Sequence, residues 1–101
     1  MIENLCPKME ATLEILGKKW IALIVFALLK GAKKFSDVEK FIPDLSARML
    51  SERLKELELK EIIIKNVYPE TPVRIEYSLS QKGIELTKTF SAIGEWAEKW
   101  Y

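Results

Sequence analysis

The sequence predicts a mainly α-helical fold with a small β wing, that is, an α+β winged helix-turn-helix. The main observation is a helix that begins after Ser46 and runs into two alternating strands joined by a loop with two prolines. A second observation is a short helix just before Ser46, which completes a helix-turn-helix. We expect one domain, residues 1–101, that dimerises through its N- and C-terminal helices.

The composition is that of a folded domain with a mixed charged surface. Of the 101 residues, 49% are hydrophobic and 31% are charged, and sixteen Lys and Arg against fifteen Asp and Glu give a net charge of +1. Because the whole chain is barely basic, a DNA-binding prediction depends on charge gathered on one face.

The reactive residue types exclude several classes of site. Cys6 is the only cysteine and histidine is absent, so an intrachain disulfide, a zinc site and His-based nucleophilic catalysis lack their usual residues. We therefore expect a cytoplasmic protein with no metal, no cofactor and no catalytic activity. An enzyme would instead need a pocket with two carboxylates of raised pKa.

A membrane location is also not expected. The opening MIENLCPKME lacks the basic start and apolar core of a secretory leader. The apolar run from Trp20 to Leu29 is ten residues long, whereas a bilayer span takes roughly 20 residues. This run predicts a core helix instead.

The N-terminal helices should occupy residues 7–30. Pro7 suits a first turn, and Gly17 should break or kink the segment. Because nearly every residue from Trp20 to Leu29 is apolar, that part should be covered on most sides. Gly31 is a plausible C-cap.

The helix-turn-helix should occupy residues 36–60. Ser36 to Glu39 is typical of a capping box, so the first helix should begin at Ser36. Ser46 should cap the second, with Leu45 packing on Leu50 as a hydrophobic staple. Helical hairpins with no DNA role share this spacing.

The wing should occupy residues 62–79. Lys33, Lys34 and Phe35 make at most a short additional strand. Pro69 and Pro72 suit the loop, where a missing amide proton breaks no ladder. The positions expected to be half-buried are Ile62, Ile64, Ile75, Tyr77 and Leu79, alternating with Lys65, Arg74, Glu76 and Ser78.

The C-terminal helix should span residues 81–100. Its apolar stripe has heptad-like spacing, with Trp96 and Tyr101 beside it. The stripe could dock on the domain's own core, but so much aromatic area favours burial by a second copy. The expected dimer interface consists of Met9, Leu13, Leu86, Phe90, Ile93, Trp96, Ala97 and Trp100.

The expected DNA-binding surface centres on the helix after Ser46. Helical spacing places Leu50, Leu54 and Leu57 toward the core. Arg48, Glu52 and Lys55 then lie opposite, and Met49, Ser51 and Arg53 lie on the flanks. With the flanking cations, the full set is Lys33, Lys34, Ser46, Arg48, Met49, Ser51, Glu52, Arg53, Lys55, Lys65 and Arg74.

Each of these residues has a distinct expected role. Arg48, near the helix N-terminus, is the best candidate for a guanine contact. Glu52 could accept from a cytosine amino group, although an ion pair with Arg48 is preferred. Arg53 and Lys55 are expected to contact phosphates. Ser46 and Ser51 could do the same, although capping alone also explains Ser46.

Three stretches of the chain resemble the HxlR-type transcriptional regulators. They are CPKMEATLEILGKKW at Cys6 to Trp20, LSARMLSERLKELE at Leu45 to Glu58, and VYPETPVRIEYSLSQKG at Val67 to Gly83. The resemblance implies a winged helix related to the MarR group that binds double-stranded DNA as a homodimer, on an operator with two-fold character. The alternative is a winged-helix protein–protein interaction module without DNA binding.

Carried over to this chain, the family's recognition helix corresponds to Ser46 through Glu58 and its wing to Tyr68 through Arg74. The family's near-N-terminal cysteine corresponds to Cys6. In some members this thiol senses electrophiles or oxidants, so the resemblance implies a redox sensor at Cys6 and an effector of unknown identity. The alternative is an inert thiol. A helix N-terminus beside Pro7 would favour the thiolate.

Overall fold

The computed structural model describes residues 6–101, so the sequence-based prediction about a leader falls partly outside the described residues. Six helices and one two-stranded sheet make up this part of the chain. They are α1 (Pro7–Leu16), α2 (Ile21–Leu29), α3 (Phe35–Phe41), α4 (Ala47–Leu59), β1 (Ile63–Tyr68), β2 (Arg74–Leu79), α5 (Gln81–Lys88) and α6 (Phe90–Trp100). This is the predicted winged helix.

The core lies where α2 packs against α3, β2 and α5, and where α4 packs against β1. Its buried side chains are Ile21, Ile24, Val25, Ala27, Leu28, Val38, Ile42, Leu45, Leu50, Leu54, Leu57, Ile62 and Ile63. The prediction that α2 is covered on most sides is wrong, because Ala22, Leu23 and Leu29 are exposed. The packed elements cover only one side of this helix.

The predicted break near Gly17 is confirmed. Helix α1 ends at Leu16, and the chain turns until Trp20, which has a left-handed backbone with φ of 79°. Gly31 follows α2 with φ of 110°, a conformation that glycine adopts without the cost of a Cβ clash. The two N-terminal helices are therefore separate rods.

The start of α3 differs from the prediction. The helix begins at Phe35, and the Asp37 carboxylate accepts hydrogen bonds from the backbone N–H of Lys33 at 3.1 Å and of Lys34 at 2.9 Å. These bonds, that of Lys34 first, lower the pKa of Asp37. Ser36 lies inside the first turn and is not the cap, because the side chain one position later makes the capping contacts.

The predicted cap of α4 is confirmed. The Ser46 hydroxyl oxygen accepts a hydrogen bond from the backbone N–H of Met49 at 3.1 Å. Leu45 and Leu50 are both buried in the core next to this cap. The first turn of α4 is thus fixed at its outer end by the serine and at its inner end by two leucines.

The wing is an antiparallel hairpin in which two of the positions predicted to be half-buried, Ile64 and Ile75, are exposed. Ile63 pairs with Leu79 and Lys65 with Tyr77, so these residues share one face of the sheet. Ile64 lies on the opposite face and is exposed, whereas Ile63 is buried. The prediction of an inward Ile64 is wrong, because three consecutive isoleucines leave the phase of the alternation undetermined.

The wing is attached to the segment between α2 and α3. The backbone N–H of Tyr77 donates to the carbonyl oxygen of Lys33 at 2.7 Å, but no strand forms at Lys33 to Phe35. This single bond holds the two lysines of that segment beside β2. The wing and the turn before α3 therefore form one continuous side of the domain.

The C-terminal segment forms two helices, whereas one was predicted. Thr89 lies between α5 and α6, and α6 contacts the rest of the chain mainly through α5. The radius of gyration is 15.0 Å, above the roughly 13 Å of a compact domain of this length. The excess reflects an elongated shape of 52 × 30 × 24 Å. Within residues 6–101, the helices are too short or too polar to span a membrane.

Candidate nucleic-acid interface

The outward face of α4 is the centre of the candidate interface. Leu50, Leu54 and Leu57 are buried, which turns the opposite side of the helix to solvent. The Arg48 side chain is 91% exposed there, and Lys55 is exposed on the same side. The helix therefore presents two cations on a face supported from behind by leucines.

Arg48 and Glu52 form the ion pair expected from their spacing. Arg48 Nε lies 3.7 Å from Glu52 Oε1, and both side chains are well exposed. An exposed pair of this kind contributes about 0–1 kcal/mol, since water and salt screen it. Arg48 can therefore leave Glu52 at little cost and bind another acceptor.

Arg53 is engaged inside the domain. Its side chain is 17% exposed, its Nε donates to the carbonyl oxygen of Lys19 at 2.9 Å, and its Nη1 donates to Glu56 at 2.6 Å. Glu56 also accepts from Lys18 at 2.8 Å, and Lys18 and then Arg53 lower its pKa. These bonds join α4 to the turn between α1 and α2. We therefore remove Arg53 from the candidate phosphate contacts.

Two other predicted residues on α4, and the serine that caps it, are less available than expected. Met49 packs partly against the core, Ser51 is half-buried, and the Ser46 hydroxyl oxygen serves as the helix cap. The cap and the core packing explain these positions without a ligand. Fewer of the α4 residues predicted to contact DNA are therefore available than expected. The available cations among them are Arg48 and Lys55.

Lys33 and Lys34 are exposed and lie on backbone that is fixed in place. Asp37 binds both of their backbone N–H groups, and Tyr77 binds the carbonyl oxygen of Lys33. These two anchors were not predicted from the sequence. The acidic residue three positions after Lys34 was a usable signal for the first, whereas the Tyr77 contact depends on the tertiary fold.

The wing offers one exposed cation and one neutralised cation. Lys65 is exposed on β1. Arg74 binds Glu70 at 3.0 Å and Glu76 at 2.7 Å, and its guanidinium lies 4.0 Å from the centre of the Tyr68 ring. The two carboxylates, Glu70 first, raise the pKa of Arg74. Arg74 is therefore a weaker candidate for a phosphate contact than the sequence suggested.

The terminal helices expose large apolar side chains. Met9 and Leu13 on α1 and Ile93 and Trp96 on α6 are each at least half exposed, and Trp100 is 66% exposed. Trp96 makes an edge contact with Tyr101, with ring centres 5.8 Å apart. These are the predicted interface residues that remain open to a partner.

Other predicted interface residues are partly covered within the chain itself. Leu86 and Phe90 pack against the core, and Ala97 is half-buried. For Leu86 and Phe90, the alternative of docking on the domain's own core is therefore the better description. Leu86 and Phe90 therefore pack within the chain, whereas Ile93, Trp96 and Trp100 farther along α6 are exposed.

Two apolar cavities lie along this exposed surface. One, of about 560 Å³, is lined by Cys6, Lys8, Met9, Thr12, Leu13, Leu16, Leu86, Thr89 and Ile93. The other, of about 330 Å³, is lined by Leu16, Ala22, Leu23, Phe26, Phe90, Ile93 and Gly94. Because Leu16 and Ile93 line both, the cavities form one continuous apolar surface from α1 to α6.

Cys6 is the exposed N-cap residue of α1 and lines the larger of these cavities. The backbone N–H groups of Met9 and then Lys8 lower the pKa of its thiol, although no regular side-chain cap bond is formed. The positive end of the helix dipole acts in the same direction. A thiol in this setting is accessible and shifted toward the nucleophilic thiolate.

Comparison with known proteins gives close relatives. The HTH-type transcriptional regulator YvaP of Bacillus subtilis (strain 168) is 53% identical over 97 residues, which cover 96% of this chain and 90% of that protein. The HTH-type transcriptional regulator YodB of the same organism is 44% identical over 99 residues, covering 98% and 88%.

Solved structures have the same fold. The reduced form of YodB has a TM-score of 0.87 at 45% identity and covers 95% of this chain and 94% of that one. Quinone-bound YodB has a TM-score of 0.83 at 40% identity, covering 95% and 100%. The oxidised form of the redox regulator HypR also has 0.83, at 33% identity, covering 95% and 98%.

A family model described as HxlR-like helix-turn-helix matches residues 15–101. The match includes the turn before α2, the helix-turn-helix, the wing and both C-terminal helices. The chain therefore belongs to the HxlR-like family and is a transcriptional regulator of the HxlR type.

Proposed function

We propose that the protein is a homodimer that binds a two-fold DNA operator with sequence specificity and responds to oxidants or electrophiles through Cys6. The observation that carries the DNA-binding part is the outward face of α4, where Arg48 is 91% exposed above a buried row of leucines. A helix with a well-exposed arginine near its N-terminus suits contact with base edges in the major groove, because Arg48 can exchange its weak, solvent-exposed pairing with Glu52 for a base.

The proposed contacts fall into two kinds. Arg48 contacts a guanine, and Lys33, Lys34, Lys55 and Lys65 contact phosphates from the turn before α3, from α4 and from the wing. The anchored backbone of Lys33 and Lys34 supports this assignment, because it fixes the origin of both side chains. Because the net charge of the whole chain is only +1, phosphate binding would depend on these lysines and not on the protein's overall charge.

The proposed dimer forms through α1 and α6. The support is the exposed Trp100, Trp96 and Ile93 on a helix that contains no buried residue. Large aromatic side chains gain most from burial, so a second copy is the natural cover for this surface. Two copies of α4 should then meet half-sites about 34–36 Å apart, one turn of the double helix.

The proposed sensing reaction uses the Cys6 thiolate. With a quinone-like electrophile, the thiolate sulfur would add to a ring carbon and the conjugated carbonyl oxygen would take a proton from water. The hydrogen of the attacked ring carbon would then move as a proton to the second carbonyl oxygen, which leaves a thioether-linked hydroquinone. Support comes from the accessible position of Cys6 and from the relatives, since YodB is known in a quinone-bound form and HypR in an oxidised form. A modified Cys6 would disturb α1 and with it the dimer.

The DNA-binding proposal can be tested by fluorescence anisotropy on specific and random duplexes at several salt concentrations. Arg48→Ala should relax preference at one or two base pairs, at a cost of about 1–3 kcal/mol for the specific duplex. Lys34→Ala should weaken all sequences alike and reduce the salt slope by about one. Equal losses on both duplexes for both variants would contradict these roles. Affinity that does not change with salt would favour a protein-interaction module.

The sensing proposal has a separate test. Benzoquinone would alkylate Cys6, and diamide would take up two electrons and two protons as the Cys6 thiols of two copies join in a disulfide. Either treatment should change operator affinity in the wild type and leave Cys6→Ser unaffected. The serine variant keeps a side chain of similar shape at the helix cap but lacks the nucleophilic sulfur. The same response in both proteins would remove Cys6 from the mechanism.

A further inference from the structure

We propose that Glu70 and Glu76 are positioning residues that hold Arg74 within the wing and thereby lower the affinity of the protein for the DNA backbone. We call these three side chains the wing clamp. The proposal rests on the proposed function and deepens it, because it names a cation on the DNA-facing side that is withheld from the phosphates.

All three nitrogens of the Arg74 guanidinium group have a carboxylate partner. Nε and Nη2 donate to the two carboxylate oxygens of Glu70 at 3.4 and 3.0 Å, and Nη1 donates to Glu76 at 2.7 Å. The central carbon of the group lies over the Tyr68 ring, 4.0 Å from its centre. A two-pronged ion pair that is extended by a second carboxylate and an aromatic ring holds an arginine more firmly than a single pair does. Arg74 is therefore bound before any DNA is present.

The arginine at the start of α4 is held much less firmly. Arg48 lies 3.7 Å from a single carboxylate, that of Glu52, and its side chain is 91% exposed. The side chain of Arg74 is 38% exposed and has two carboxylate partners at 3.0 Å or less. Water and salt screen the first arrangement more than the second. Arg48 can therefore exchange its partner for DNA, whereas Arg74 would have to give up several contacts at once.

The hairpin itself assembles the wing clamp. Tyr68 on β1 pairs directly with Arg74 on β2, which places the ring beside the guanidinium group. Glu76 follows Arg74 by two positions on the same strand and therefore lies on the same face of the sheet. Glu70 reaches Arg74 from the loop that joins the two strands. The clamp thus depends on the conformation of the wing and on no other element.

The wing clamp borders the phosphate contact that we propose for Lys34. A cleft of about 540 Å³ is lined by Lys34 and Glu39 on the α3 side and by Glu70 and Arg74 on the wing side. Its two cations are balanced by its two carboxylates. A phosphate bound to Lys34 would lie near Glu70, and like charges repel at this range. The carboxylates of the clamp therefore oppose the approach of the backbone as well as occupying Arg74.

The expected consequence is a weaker and less salt-sensitive complex with DNA of any sequence. Each phosphate that a protein neutralises releases counterions, which raises the affinity and steepens its dependence on salt. The wing has two cations, Lys65 and Arg74, and the clamp leaves Lys65 as the one that is available. Because weaker contacts mainly speed dissociation, the clamp would help the protein to leave its DNA.

The test measures binding of the full chain to one random duplex by fluorescence anisotropy, between about 50 and 200 mM salt. Glu70→Gln/Glu76→Gln removes both negative charges and keeps the shape of both side chains. It should bind at least about fivefold more tightly than the wild type at the lowest salt, with a salt slope that is steeper by about one. Adding Arg74→Gln to this variant should remove most of the gain and the added slope.

Two further variants separate the clamp from net charge and from folding. Glu85→Gln/Glu95→Gln, at exposed positions of α5 and α6, changes the net charge equally and should bind within about twofold of the wild type. Glu70→Gln alone alters a side chain that is 54% exposed, so the fold is not at risk, and it should bind at least about twofold more tightly.

Three results would overturn the proposal. They are no gain in Glu70→Gln/Glu76→Gln, an equal gain in the control variant, and a gain that survives the addition of Arg74→Gln. Failure of the proposed function is a separate result, because sequence specificity is measured on the wild type by comparing an operator with a random duplex. The clamp is measured by comparing variants with the wild type on one random duplex.

Discussion

The helix-turn-helix body and the terminal helices differ in where their apolar side chains are buried. In the body, α2, α3, α4 and β1 contribute buried residues to one core. Helices α1 and α6 contain no buried residue, although both have apolar stripes and α6 exposes two tryptophans. The body therefore completes its core within one chain, whereas the terminal helices leave their apolar surface for another molecule, in our proposal a second copy.

Two leucines of α4 test the difference between buried and exposed apolar side chains within a single helix. Leu57→Ala should lower the free energy of unfolding by about 2–5 kcal/mol, because Leu57 is fully buried and a cavity would remain. Leu59→Ala is the control, since Leu59 is 84% exposed, and it should change stability by less than about 0.5 kcal/mol. Urea unfolding of both variants measures the difference. Similar losses of unfolding free energy in the two variants would contradict the assignment of Leu57 to the core and of Leu59 to the surface.

The next effect concerns the terminal helices. Ile93→Glu should raise the dimer dissociation constant at least about 30-fold, because a charge placed in an apolar interface loses hydration without gaining a partner. Analytical ultracentrifugation should then give the 11.7 kDa mass of one chain with native helix content by circular dichroism. Glu95→Lys, on the opposite side of α6, should remain dimeric. A dimer that survives Ile93→Glu would place the interface elsewhere.

Two arginines of α4 should behave in opposite ways. Arg53→Ala should destabilise the fold by about 1–2 kcal/mol, because its hydrogen bond to Glu56 is partly buried and its bond to the Lys19 carbonyl joins α4 to the turn before α2. At a temperature where the variant is folded, its DNA affinity should be close to that of the wild type. Arg48→Ala should leave stability within about 0.5 kcal/mol and impair DNA binding. Thermal unfolding and anisotropy together separate the two, and a reversed pattern would refute the assignment.

The smallest effect concerns Cys6. Because nearby backbone N–H groups lower the pKa of its thiol, more thiolate is present near neutral pH than in a free cysteine. The rate of alkylation by iodoacetamide should therefore reach half its maximum below the free-thiol pKa of about 8.5. The same chain unfolded in urea is the control and should titrate near that value. Identical midpoints in both states would show that the helix end has no influence.

Local signals in the sequence identified most of the fold. The break at Gly17, the cap at Ser46, the buried row on α4 and the hairpin depend on neighbouring residues, and each was confirmed. The errors arose where local signals were ambiguous. Ser36 and Asp37 both suit a helix start, and adjacent isoleucines fit either phase of a strand.

The sequence did not show which cations of the candidate site are bound within the domain, because folding brings their partners to them. Arg53 looked like a surface cation because its partner, the carbonyl of Lys19, lies 34 positions away in the chain. Arg74 is a different case, because its carboxylate partners Glu70 and Glu76 lie only four and two positions away and are brought to it by the conformation of the wing loop and strand. Helical spacing correctly placed Arg48 outward, since that depends on α4 alone.

Selection of bound duplexes from a random DNA library measures the sequence specificity and the symmetry of the proposed DNA binding together. We expect an inverted repeat with half-sites about 34–36 Å apart, and loss of selection at a defined base pair in Arg48→Ala. Recovery of a single unrepeated half-site would contradict the dimer, and recovery of no motif would contradict sequence-specific binding by α4.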